Sequence, residues 1–166
     1  MTGQARTSPA ERTVAVPSAP GWARLGSLVV SLAGLAVSAY LTVEHYSSST
    51  TLACPETGVV NCVKVTTSSY STLLGVPVAL LGLLFFAAMS VLCAPVAWRA
   101  SNPWVSRARL AGAVAGVAMV VYLVWAELYR IDAICLWCTV VHALAVALFA
   151  VLVLEAALRP QDPGRG

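Results

Sequence analysis

Four stretches of the chain carry no charged side chain: Leu25–Val43, Ser71–Trp98, Leu110–Ala126 and Ala133–Leu154. Each comes close to or exceeds the roughly 20 apolar residues with which a helix crosses a hydrocarbon layer about 30 Å thick. The pattern predicts four membrane spans, over residues 22–44, 72–98, 107–129 and 133–157, with one long loop at 45–71 and two very short connections. The expected fold is an all-α integral membrane protein, a four-transmembrane-helix up-down bundle occupying residues 22–158. Composition agrees, since 59% of residues are hydrophobic and 10% charged, whereas ordinary soluble domains are about 45–50% apolar and about a quarter charged. No room is left for a separate soluble domain, so any chemistry must lie inside the bundle or under the long loop.

The flanks of the spans orient them, because Lys and Arg are retained on the cytoplasmic side. Arg6, Arg12, Arg24, Arg99, Arg107, Arg109, Arg159 and Arg165 fall in the two tails and the second connection, and only Lys64 and Arg130 fall in the other two. Both termini are therefore expected in the cytoplasm of an inner or plasma membrane, with 45–71 and the Arg130–Asp132 turn outside. The net charge of +3 is a topology signal rather than a nucleic-acid footprint. Pro9, Pro17 and Pro20 among Ser, Thr and Ala predict a disordered tail over 1–21, and 159–166 is a short second tail. A cleaved signal peptide is the rival reading of the first span, with small residues at Ser38-Ala39, but the apolar run is long for one. Ser27, Ser31 and Gly34, and Gly112 with Gly116, recur at the spacing that lets helices pack closely in lipid. Trp22, Trp98, Trp104 and Tyr70 are expected at the membrane interfaces.

Four of the five cysteines fall at the predicted outer surface. Cys54 and Cys62 form C-x7-C in the loop, where Pro55 and Gly58 can turn the chain and bring the two within disulfide reach. Cys135 and Cys138 form C-x-x-C at the start of the fourth span, with Asp132 as the expected N-cap. A helix N-terminus and this spacing both favour thiolate. Counting from Asp132, Cys135 lies near the surface and Cys138 about 9 Å inward. The loop is long enough to lay Cys62 against Cys135, giving a chain of exchangeable disulfides from water to membrane in an oxidising compartment. Three alternatives stay open: a static staple in the loop, an inert C-x-x-C, or a four-thiolate zinc site, although C-x7-C is wide for zinc. Cys93, roughly 30 Å from the outer surface, is expected to be a small buried hydrophobe.

These features in this order resemble the vitamin K epoxide reductase family. The resemblance rests on Ala53-Cys54-Pro55, Asn61-Cys62-Val63-Lys64-Val65, Ser68 six residues beyond Cys62, Gly75-Val76-Pro77 at the mouth of the second span, and Ile134-Cys135-Leu136-Trp137-Cys138-Thr139. It covers about residues 22–158. DsbB-type proteins also have four spans and four cysteines but carry C-x-x-C in the first outer loop, whereas here it comes last. The resemblance implies a bundle around a quinone, menaquinone or ubiquinone. In it Cys138 faces the ring, Cys135 receives electrons from Cys62, and Cys54 exchanges with an external thioredoxin-like (DsbA-like) protein. Many bacterial relatives append a fifth span and a thioredoxin-like domain; with the chain ending at Gly166, a stand-alone form with a separate partner is expected. The implied activity is thiol:quinone oxidoreduction in support of disulfide formation. The competing class is a non-enzymatic membrane protein whose cysteines are staples or bind metal.

Polar residues add detail. His142 shares a helix face with Cys135 and Cys138 and, as an imidazole inside a span, is a candidate for hydrogen-bonding the quinone or passing a proton; a Tyr stands there in animal relatives. The segment Val63–Leu74 is expected to form a short helix capping the bundle, with Val63, Val65 and Leu73 inward. Ser68 is a candidate for the quinone or for orienting that cap. Ser71 stands where the animal pattern has Asn. Glu44, His45 and Glu56 are expected on a solvated rim.

Overall fold

The computed structural model describes residues 19–47, 54, 57–99 and 102–158; positions 1–18 of the tail expected over 1–21, the tail at 159–166, and Ala53, Pro55 and Glu56 lie outside them. Helix α1 spans Gly21–Ser47, and Pro20 offers its carbonyl to Ala23 and Arg24 at the start. Helix α5 spans Pro103–Ala126, opened by Pro103 at a position where no N–H is needed and by the Asn102 side chain, which accepts from the Trp104 N–H at 2.9 Å. It continues as one π turn, Glu127–Ile131, which closes on Asp132 in the left-handed region (φ 50°). Helix α6 spans Leu136–Leu158. These three, counting the π turn with α5, are long and apolar enough to cross a membrane.

The second predicted span is not continuous. Residues 72–77 form a two-stranded antiparallel hairpin, β1 (Thr72–Leu73) and β2 (Val76–Pro77). An apolar 15-residue helix, α3, follows over Val78–Leu92, and a short helix, α4, over Pro95–Arg99. Pro95 has no N–H to give, and the chain breaks at Cys93–Ala94. The carbonyls freed there are met by side chains: Arg109 Nε donates to the Leu92 carbonyl at 2.7 Å and Trp98 Nε1 to that of Cys93 at 3.1 Å. The buried Arg109 guanidinium stacks 3.6 Å from the Trp98 ring centre, so Trp98 helps to hold the helix break together.

Helix α1 packs on α3 and α6, and α5 packs on α6 and α3. The core holds Phe86, Met89, Cys93, Ala113, Ala145, Leu148 and Leu152, which places Cys93 among hydrophobes as expected. Ser27, Ser31, Gly34 and Ser38 form a buried small-residue face on α1. Gly34 abuts the Phe86 ring, and side chains at Gly112 and Gly116 would meet Met89 at 2.9 Å and Phe85 at 2.7 Å. Between apolar helices in lipid, such close contact is a main source of association.

The loop departs from a single capping helix over Val63–Leu74. Helix α2 covers only Cys62–Thr66, N-capped by Asn61, whose side chain accepts from the Lys64 N–H at 2.7 Å, and a 3-10 turn follows at Ser69–Ser71. Thr66, Thr67 and Ser68 hydroxyls each donate back to a carbonyl of this segment, of Cys62, Val63 and Val65, at 2.9, 2.7 and 2.8 Å. Such bonds compete with the helical ladder. Leu73 belongs to the hairpin, whose turn places Leu74 and Gly75 both at positive φ.

Adding a methyl group at Gly34 must displace Phe86, so Gly34→Ala is expected to destabilise the detergent-solubilised protein by about 1–3 kcal/mol. Gly26→Ala, with nothing within 4 Å, is expected to leave the thermal midpoint unchanged or raised. Equal behaviour of the two variants would contradict this packing.

Candidate functional site

Main-chain pairing ties the loop between α1 and α3 to the head of α6. The chain turns at Thr57–Val60 with Gly58 at φ 58°, and Ile134 then donates to the Val59 carbonyl at 2.9 Å and accepts from Asn61 N–H at 3.1 Å. The next residue on each side is a cysteine. Cys62 and Cys135 are both wholly buried, in one cluster with Val65, Ile131 and Ala133, against which Cys54, Cys138, Tyr70 and Trp137 pack. Lys64 Nζ reaches the Asp132 carbonyl at 3.4 Å, and Arg130 Nε donates to the Tyr70 hydroxyl at 2.9 Å, adding two side-chain ties between loop and turn. Cys54 and Cys62 are disulfide-bonded, with Cα atoms 6.2 Å apart, while Cys135 and Cys138 are free. Cys54, Cys62, Cys135 and Cys138 therefore meet in one cluster, and Cys93 lies in the other. With the loop pair bonded to itself, the four sulfurs do not form a set of free thiolates for zinc.

Asp132 is not the N-cap of α6; it ends the π turn, and α6 begins four residues later. Cys135 takes the capping position. Its sulfur accepts from the Cys138 N–H at 3.3 Å, and its carbonyl accepts from the N–H and hydroxyl of Thr139, both at 2.9 Å. A main-chain N–H directed at the Cys135 sulfur favours thiolate over thiol. The positive end of the helix favours thiolate in the same way. Trp137, between the two cysteines in sequence, packs against Tyr40 of α1, ring centres 5.1 Å apart.

Beneath the cap lies a cavity of about 300 Å³, at the lower end of the range for small-molecule sites. Its walls are mostly apolar: Val63 and Val65 from α2, Leu41 from α1, Val78 and Ala79 from α3, and Leu123 and Ile131 from the α5 side. Cys138 and His142 line it from α6, one turn apart, and Ser68 and Tyr70 line it from the cap. A flat ring with two acceptor oxygens suits this arrangement: apolar faces around it, a thiol beside it, a few polar groups at its edges. Ser68 gives its hydroxyl hydrogen to Val65, so in this conformation it braces the cap and has no hydrogen for a carbonyl ligand. Glu44 and His45 line the cavity, with His45 exposed and Glu44 half-buried, which agrees with a solvated rim.

Two cavity residues were not singled out from sequence as site candidates. Glu127, 6% exposed, stands where α5 turns into its π segment and lines both this cavity and an apolar groove between α5 and α6 that His142 also shares. Its signal was an acidic residue directly at the end of a charge-free run, although only the widened turn shows that it faces inward. Ser38 was masked by the small-residue face to which it belongs.

A model of the Vitamin K epoxide reductase family matches residues 26–153. No match was found among curated proteins.

The juxtaposition can be tested without turnover. With Cys54→Ala and Cys138→Ala combined, the remaining outer pair, Cys62 and Cys135, is expected to form a disulfide on mild oxidation, seen by peptide mapping. Persistence of both as free thiols would contradict the arrangement.

Proposed function

Because the chain belongs to the vitamin K epoxide reductase family, whose members are generally oxidoreductases that use quinones, we propose that it is a membrane thiol:quinone oxidoreductase supporting disulfide formation outside the membrane. The observation that carries this reading is the buried contact cluster of Cys62 with Cys135, with Cys138 opening into the apolar cavity. Reduced thioredoxin-like protein is the electron donor and menaquinone or ubiquinone the acceptor. We read four crossings, counting as the second the apolar helix α3, which packs on α1 and α5. Both termini then lie in the cytoplasm, as the distribution of arginines indicates.

The exchange runs as follows. A partner thiolate attacks Cys54, and the Cys54–Cys62 bond breaks to leave Cys62 as thiolate. Cys62 attacks Cys135 of an oxidised Cys135–Cys138 pair and frees Cys138. The partner's second thiol displaces Cys54 and leaves as a disulfide; Cys54 then attacks Cys62, which restores the loop bond and frees Cys135. That end point, loop pair bonded and Cys135 and Cys138 free, is the state the structure holds. A bound quinone supplies an acceptor for two electrons and two protons, and the Cys135–Cys138 disulfide is regenerated as it is consumed. The two thiols supply the protons, and His142 and Glu127, both lining the cavity, are placed to carry them. Val63 and Val65 of α2 put an apolar wall over the cavity that Cys138 lines, which limits water there.

Purified protein, assayed anaerobically with a reduced thioredoxin-like protein and either quinone, is expected to bleach quinone absorbance. Cys138→Ala should abolish this and Cys93→Ala should leave the rate nearly intact; the reverse would refute the assignment. Glu127→Gln should lower kcat by about 10²-fold with little effect on quinone KM, and an unchanged kcat would remove Glu127 from the proton path.

A further inference from the structure

Ser38 has no hydrogen-bond partner for its hydroxyl among the described residues, although it is only 1% exposed. Serine and threonine within helices ordinarily satisfy themselves by donating to a carbonyl one turn back. The neighbours do so here: Ser31 donates to Ser27, Thr42 to Ser38 and Ser90 to Phe86, each at 2.7 Å. Ser38 instead lines the cavity that holds Cys138 and His142. Gly82 of α3, also a cavity residue, packs against it, and a side chain there would come within 3.2 Å of the hydroxyl. A buried hydroxyl left unpaired is costly, and an acceptor in the cavity removes that cost.

We propose that Ser38 donates a hydrogen bond to one carbonyl oxygen of the bound quinone and thereby sets the orientation of the ring against Cys138. Quinone oxygens are acceptors only, and hydroxyl is a donor that needs no change of protonation to serve them. Ser38 is a positioning residue: it takes no part in the sulfur exchange, and it approaches from α1, a different helix from the one that carries Cys138 and His142. This inference rests on reading the cavity as the quinone site.

The probe is 2-methyl-1,4-naphthoquinone bound to the purified full-length chain, followed by infrared carbonyl stretching and by equilibrium affinity. In the wild type at least one carbonyl band should be shifted down from its position for the free quinone. In Ser38→Ala a shifted band should return toward the free position, and affinity should fall about five- to tenfold, the worth of one hydrogen bond. Without quinone, the same variant should unfold at an equal or higher temperature, since it loses an unpaired polar group and gains a better helix former. The added stability on quinone binding should be smaller than in the wild type. Ser90→Ala, which removes a self-satisfied hydroxyl outside the cavity, should leave bands and affinity unchanged. Unaltered bands and affinity in Ser38→Ala would show that the hydroxyl meets water only and would overturn the proposal while leaving the quinone site in place. Failure of the wild type to bind the probe at all would overturn both readings.

Discussion

Two main-chain hydrogen bonds at Ile134, one to Val59 and one from Asn61, hold a loop to the head of a helix more than 70 residues further along the chain, and the candidate site depends on that pairing. Backbone groups at a buried junction must find partners. Here the partners they find set the register: with 59–61 alongside 134, the next residues, Cys62 and Cys135, are side by side. A slip of one residue would turn one of them away. The side-chain ties from Lys64 and Arg130 act on the same joint. The cap over the cavity follows from it as well, since α2 begins at Cys62 and places Val63 and Val65 on the cavity wall.

The rest of the bundle gives that joint something rigid to close against. Small residues on α1 and α5 admit Phe85, Phe86 and Met89 of α3, so the helices approach closely where hydrophobic force between them is weak. The polar groups that remain inside are either bonded, like Arg109 and most of the helix hydroxyls, or line the cavity, like Glu127, His142 and Ser38. This division separates the packed core around Cys93 from the candidate site around Cys138. The two share a lipid-facing exterior but no sulfur contact.

Much of this was legible in the residue order. Charge-free runs mark the long helices because a span admits few charges, and the two cysteine spacings with Gly58 mark the place where the sulfurs gather. What was illegible depended on partners distant in sequence. Pro95 is visible, but whether it bends or breaks a helix depends on Arg109 and Trp98 supplying donors to the freed carbonyls. Asp132 has the side chain of an N-cap, yet the π turn ahead of it takes it into the left-handed region and passes the capping role to the Cys135 sulfur. Val63–Leu74 has the apolar spacing of a helix, but its Thr and Ser hydroxyls compete for the same carbonyls. Ser38 is indistinguishable by type from Ser27 and Ser31; only the missing back-bond and the cavity set it apart.

The order in which the two disulfides appear tests the central claim most directly. Fully reduced protein mixed anaerobically with one equivalent of quinone, then quenched by alkylation at successive times and mapped by mass spectrometry, is expected to show the Cys135–Cys138 bond first. The Cys54–Cys62 bond should grow only as the first is spent, and not at all when Cys135 is replaced by Ala. Prior formation of the loop bond, or its undiminished formation without Cys135, would contradict a relay that passes through the contact between Cys62 and Cys135.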